Sequence, residues 1–297
     1  MTLDRAILAT LAYHDIFDYP LKEAEVRRYL IGRKASGQRI EKEIANLLKN
    51  KKIIFKKGYF CLKNRGEIIK LREARTGHSK TKLKRANFFS ILLTPVTTIK
   101  LVAVSGALAM GNAKKNDDID LVIVTARNTL WTTRLLANII LLPLKRKPGL
   151  ITHHSPLITN NKACLNLFID ESNLKISDKN LYTAHEICQM KPLWQRGNTY
   201  SRFLKANSWV KNYLPNWEPD AVNGKWKIVN RPSFYSPFTI HHSLVEHIEA
   251  LAKWGQLNYM KKKITAEKIM DHQLFFHPKD TQSWVLKSYA RKLAKIT

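Results

Sequence analysis

The sequence predicts an α+β chain, and three observations carry that prediction. The first 65 residues read as amphipathic helices followed by a hairpin, residues 99–175 as short apolar strands around a glycine turn and one helix, and the remainder as helices. At 297 residues with 44% apolar side chains, the chain can fill more than one core.

Leu3, Ile7, Leu8, Leu11 and Ile16 recur near helical spacing and predict a helix over 3–17. Pro20 then stands where a second helix, LKEAEVRRYLIG, begins. A third, from Ser36 to Asn50, carries Ile40, Ile44, Leu47 and Leu48 on one side, and IIFKKGYFCL reads as two short strands around a Lys-Lys-Gly turn. Three helices and a hairpin make a winged helix-turn-helix over 1–65. Such a module commonly sets its third helix in the DNA major groove and its wing on the backbone. Arg39, Lys42 and Lys49, with Lys56 and Lys57 at the wing tip, suit that use, although the module also serves enzymes as a protein or RNA docking unit.

A basic helical run from Glu67 to Phe89 ends before Thr94-Pro95 and makes 66–98 a connecting helix. TIKLVAVSG then reads as a buried strand, DIDLVIVT as a second and KACLNLFID as a third, with a helix from near Asn128 to Pro143. GLITHHSPLIT is a strand or a loop. Helical stretches at 179–190, 198–213 and 236–262 predict a helical C-terminal domain over 176–297, the far wall of a cleft whose centre is a small mixed sheet over 99–175.

The formal net charge is +28, spread along the chain, and favours polyanionic partners such as a nucleotide, RNA or DNA, unless it only solvates the surface. Cys61, Cys164 and Cys188 are few, odd in number and unevenly spaced, which argues against a disulfide framework and for a reducing cytoplasm. The opening residues include Asp4, Arg5 and His14 and lack the core of a signal peptide, and the longest apolar stretch, Leu135–Leu144, is too short to span a bilayer. The paired histidines His153-His154 and His241-His242 lack zinc-helix spacing and are expected to pack or to sit at the surface.

The chemistry concentrates in 105–121, SGALAMGNAKKNDDIDL. Asp118 and Asp120 stand one residue apart on a strand, so they share a face and can hold one or two divalent cations. Upstream, Gly106-Ala107 and Gly111 form a small-residue turn whose N–H groups can approach a phosphate closely. Tyr182, His185 and Glu186 on a later helix line the pocket or pack in the core.

The order of strand, glycine turn and Asp-x-Asp strand resembles the DNA polymerase beta-like nucleotidyltransferase superfamily. Gly106, Ala109, Gly111, Asp118, Ile119, Asp120 and Leu121 match its small-enzyme pattern, while Ala107 stands where the family carries a phosphate-binding serine. The chain as a whole resembles a bacterial group of such proteins that carry an N-terminal winged helix. The resemblance implies transfer of a nucleoside monophosphate from an NTP to a hydroxyl acceptor, with Mg2+, or Mn2+ in its place, and release of pyrophosphate. It implies phosphate contacts at Ser105, Gly106, Ala107, Gly111 and Lys114, and catalytic and metal roles for Asp118, Asp120 and a third carboxylate. By alternation Asn166, Phe168 and Asp170 share a face of the third strand, so the third place falls to Asp170, the better ligand and base, or to Asn166 in amide form. The rival expectation is a nucleotide-sensing DNA- or RNA-binding regulator in which the transferase fold turns over weakly or not at all.

Overall fold

The computed structural model describes residues 1–145, 161–219, 228–232, 242–261, 267–276 and 280–296. His153, His154 and His241, and the whole of the GLITHHSPLIT segment, lie outside them. The chain folds as α+β.

Helices α1 (Leu3–Asp15), α2 (Glu23–Arg28) and α3 (Gly37–Lys49) precede a hairpin of β1 (Ile53–Lys56) and β2 (Tyr59–Leu62). In α3, Ile40, Ile44 and Leu47 are buried at the i, i+4, i+7 positions of one face. The hairpin closes on two residues with positive φ, Lys57 at 53° and Gly58 at 81°, the backbone that a tight two-residue turn requires. The long helix α4 (Ile68–Leu92) leads into β3 (Ile99–Val104), a short turn α5 (Gly106–Ala109), β4 (Ile119–Thr125), α6 (Leu130–Ile140) and β5 (Ala163–Asp170). Then follow α7 (Leu181–Gln189), β6 (Lys191–Gln195), α8 (Thr199–Ala206), a 3-10 turn (Ser208–Asn212), β7 (Val229–Asn230), α9 (His242–Met260), β8 (Lys268–Ile269), β9 (Gln273–Phe275) and α10 (Thr281–Ile296).

The principal sheet has the order β7-β6-β3-β4-β5-β9-β8, with β4 and β5 parallel and β3 antiparallel to both β4 and β6. Its centre is apolar on both faces, because helices cover both. Val102, Val104, Ile119, Leu121 and Ile123 pack toward α4 and α6, while Leu101, Ala103, Val122 and Val124 pack toward α7 and α8. The expected helical C-terminal domain is corrected here: residues 176–297 supply α7 to α10 but also β6 to β9, the outer strands of the sheet. These strands have two to five residues, too short to display a period of two, and Pro192 interrupts the longest.

Two polar devices fix the layers. Arg196, 1% exposed, donates to the carbonyls of Thr94, Val96, Ile99 and Pro232 and so closes the link between α4 and β3. The Glu249 carboxylate on α9 accepts from the N–H groups of Trp131 at 2.6 Å and Thr132 at 2.8 Å, capping the positive end of α6. Among the described residues no helix is long and apolar enough to cross a membrane.

Replacing Arg196 by Met keeps much of its volume but strands several buried carbonyls. Arg196→Met is expected to lower the unfolding free energy by about 3 kcal/mol or more, read from the urea midpoint.

Candidate functional site

The site forms where α5 turns against the start of β4. Ser105 N–H donates to the backbone carbonyl of Asp120 at 3.2 Å, which ties the end of β3 to the acidic strand. Gly106 follows with φ +60°, and a Cβ there would meet Asp120 Oδ2 at 3.3 Å, so both the backbone and the space at this position call for glycine. Gly111, φ +70°, ends the turn, and Asn112 N–H returns to the Ala107 carbonyl at 2.8 Å.

The loop that follows is clamped from two sides. Tyr19 Oη donates to the Met110 carbonyl at 2.6 Å, Asn112 Nδ2 to the Phe17 carbonyl at 2.9 Å, and Ala113 N–H to Ser79 Oγ at 3.0 Å. Arg75 on α4 donates to both the Phe17 carbonyl and Asn112 Oδ1. Lys82, nearly buried, donates to the Asp117 carbonyl and to Asn161 Oδ1; burial lowers its pKa, and the Asp117 and Asp118 carboxylates oppose that shift.

Asp118 Oδ1 accepts from Lys162 N–H at 3.2 Å, beside the entry to β5. Asp120, on the face of β4 that carries Val122 and Val124, accepts a hydrogen bond from Asn166 Nδ2. Lys114 stands exposed on the loop, its N–H bonded to Asp117 Oδ2 at 2.8 Å, and lines neither of the cavities described below.

Asp170 does not join the pair, and the expectation that it does is corrected. In β5 the pairing runs from Leu121↔Leu165 to Val122↔Leu167, leaving Asn166 as a bulge. The extra residue reverses the alternation: Leu167 and Ile169 turn to the α7 side and Phe168 to the α4 side, so Asn166 and Asp170 no longer share a face. Asp170 pairs with Thr125 and Cys164 with Asp120, a separation of roughly 17 Å along the strand. Its carboxylate, 1% exposed, instead accepts from Asn128 N–H and Ser172 N–H, both at 2.8 Å, and holds the loops at the far end of the sheet.

The second carboxylate that does reach Asp120 is Glu186 on α7. Burial and then the charge of Asp120 push its pKa up to about 7, while a hydrogen bond from Gly106 N–H acts the other way. Tyr182, one turn earlier, has its hydroxyl pKa raised by burial and by the charges of Glu186 and Asp120.

Two neighbouring cavities share Ser105, Tyr182, Glu186 and Thr281 as common wall. One, of about 340 Å³, is walled mainly by apolar side chains such as Val122, Leu167, Ile176 and Phe203. The other, of about 230 Å³, is lined by Gly106, Ala107 and Asp120 together with Tyr13 and His14 of α1 and Phe17 and Tyr19 just after it. Nothing in the sequence signals that aromatic wall, because its residues stand some 90 positions before the glycine turn.

His14 in that wall and His185 behind it are both buried, their rings 5.1 Å apart, with Tyr13 stacked on His185 at 4.0 Å. Burial pushes His14 down to about 4 and His185 well below its ordinary value. No protein-family model, curated protein or solved structure matches this chain.

Ala at position 106 must adopt a left-handed backbone and press on Asp120, so Gly106→Ala is expected to cost roughly 1–2 kcal/mol in a urea titration. Both histidines are neutral when folded but titrate near 6.5 when unfolded, so the unfolded chain takes up more protons as the pH falls below that value. Stability is therefore full above pH 6.5 and is lost toward pH 4. For His14 the loss between pH 7 and pH 5 is about 2 kcal/mol, and His14→Phe is expected to flatten the fall of the urea midpoint over that interval.

Proposed function

We propose that the chain is a Mg2+-dependent nucleotidyltransferase that moves a nucleoside monophosphate from an NTP to a hydroxyl acceptor and releases pyrophosphate. The observation that carries the reading is the contact between a positive-φ glycine turn and the Asp120 carboxylate at the edge of a cavity. A phosphate-binding turn and a cation-binding acid are useful to each other only at that range.

Asp118 and Asp120 offer hard carboxylate oxygens, and Mg2+ is commonly held by one or two carboxylates together with substrate phosphates, so the pair suits that ion. Bound by them, it would neutralise charge on the α-phosphate and the departing pyrophosphate. The amides at 106–108 are the donors for phosphate oxygens, and a phosphate arriving there replaces the Glu186 carboxylate on Gly106 N–H. Ala107 contributes backbone only. Glu186, against Asp120, then takes the proton of the acceptor hydroxyl as its oxygen bonds to the α-phosphorus and the bond to pyrophosphate breaks. The apolar cavity behind Tyr182 and Glu186 has room for an acceptor whose body is largely hydrocarbon or aromatic.

The three helices and hairpin at 1–65 support a winged helix-turn-helix beside this centre. A second reading, the nucleotide-sensing DNA- or RNA-binding regulator, draws on Asn166, an amide on Asp120 where a third carboxylate would serve catalysis better. It also draws on the exposure of Arg39, Lys42, Lys49, Lys56 and Lys57 along α3 and the hairpin.

Incubation with α-labelled NTPs, Mg2+ and cell extract is expected to label an acceptor, and Asp118→Ala with Asp120→Ala to reduce labelling by at least about 100-fold. Unchanged labelling in the double variant would refute the transferase reading. Nucleotide binding without pyrophosphate release, joined to duplex binding that weakens steeply with salt, would favour the regulator.

A further inference from the structure

We propose that the outward apolar face of α9 is the interface of a two-fold homodimer, in which α9 packs antiparallel on α9 of a second copy of this chain. The inference is independent of the nucleotidyltransferase reading.

The inward side of α9 is accounted for within the chain. Glu249 caps α6, Gln256 donates to the Trp131 carbonyl at 2.8 Å, and Ala252 packs against the core of the sheet. These positions lie three and four residues apart and mark one side of the helix. Leu244, Ile248, Leu251, Gly255 and Tyr259 also recur every three or four residues, but on an arc of about 80° turned away from that side. All five are exposed, Leu251 by 68% and Tyr259 by 66%. Such spacing is the seam of a two-helix pair, and here the seam has solvent in place of a helix.

The extent of the apolar surface suits a second copy. Helix α6, against which α9 packs, exposes Leu135, Leu136, Ile139 and Leu142. Together with the α9 stripe they present roughly 900 Å², more than the few hundred Å² usual on a monomer and close to the ~800 Å² that each partner buries in a standard interface.

The stripe is also complementary to itself. With the two-fold axis beside Leu251, that residue meets its own copy, Leu244 lies opposite Tyr259, and Ile248 lies opposite Gly255. Among the described residues, a Cβ at Gly255 would meet nothing within 4 Å, so the glycine leaves a gap in the stripe that Ile248 of the second copy fills. Each copy carries a net charge of +28, so repulsion opposes pairing at low salt and salt relieves it. Attraction to a polyanion or an anionic lipid surface has the opposite salt dependence.

Sedimentation equilibrium of the full chain tests the proposal. Between roughly 1 and 100 µM the chain is expected to pass from monomer to dimer, with more dimer at about 0.5 M salt than at about 0.1 M. Leu251→Glu acts twice across the axis, setting two carboxylates against each other, and is expected to weaken association by at least about 100-fold. Gly255→Leu extends into open space in the single chain, so the urea midpoint is expected to stay or rise, while association weakens by about tenfold or more because the gap is filled. A monomer throughout that range, or a dimer that both variants leave intact, would overturn the interface. So would binding of a monomeric chain to phosphatidylglycerol vesicles at low salt that Leu251→Glu abolishes, since the face would then meet lipid.

Discussion

Helix α1 is buried from Ala6 to Asp15, and the arrangement of the site depends on that burial. Ala6, Ile7, Leu8 and Leu11 belong to the core of the N-terminal helices, whereas Tyr13 belongs to the core beneath the principal sheet. A helix shared in this way cannot keep its polar groups in water, so each must find a partner inside. Thr10 Oγ1 donates to the Ala6 carbonyl and accepts from Ile31 N–H. Asp15 is gripped by Arg65, at 2.7 Å, and by Lys292 from α10. His14 alone among these is satisfied on one side only. The glycine turn is thereby attached to the segment just after α1, more than ninety residues earlier in the chain, and the cavity beside the turn is lined by Tyr13 and His14 of α1 itself.

The excess of basic residues divides into two populations. Arg39, Lys42 and Lys49 on α3 are exposed, as a surface for polyanions or for water would have them. Arg72, Arg75, Lys82 and Arg196 are buried, and they donate to backbone carbonyls, to Glu25 or to side-chain amides. Such buried cations hold loops in place, several of them around the glycine turn, and do not advertise a partner. Net charge read from composition merges the two populations and so overstates what the surface offers.

Much of the centre was legible because its physics is local. Apolar runs at Ile99–Val104 and Ile119–Thr125 announce doubly covered strands, and the glycine spacing before Asp118 and Asp120 announces a turn against an acidic strand. The error at Asp170 has an equally local cause that no pattern displays: one bulged residue, Asn166, reverses every side chain beyond it. Glu186 could be picked out as a pocket candidate by its place on α7, but its contact with Gly106 depends on tertiary packing. The outer strands stayed hidden because Val229–Asn230 and Lys268–Ile269 are two-residue pieces whose conformation is imposed by the neighbours they join.

Strand order in the sheet differs from the order in which the strands are synthesised. The middle of the chain forms the middle of the sheet, and the residues after Met190 supply both outer flanks, β6 and β7 on one side and β9 and β8 on the other. Until β6 and β9 have been synthesised, the edges of β3 and β5 that those strands cover stay open. The short outer strands are thus a closure of the sheet as much as an extension of it. A chain cut before Gln273 would leave the edge of β5 bare and ready to pair with another molecule.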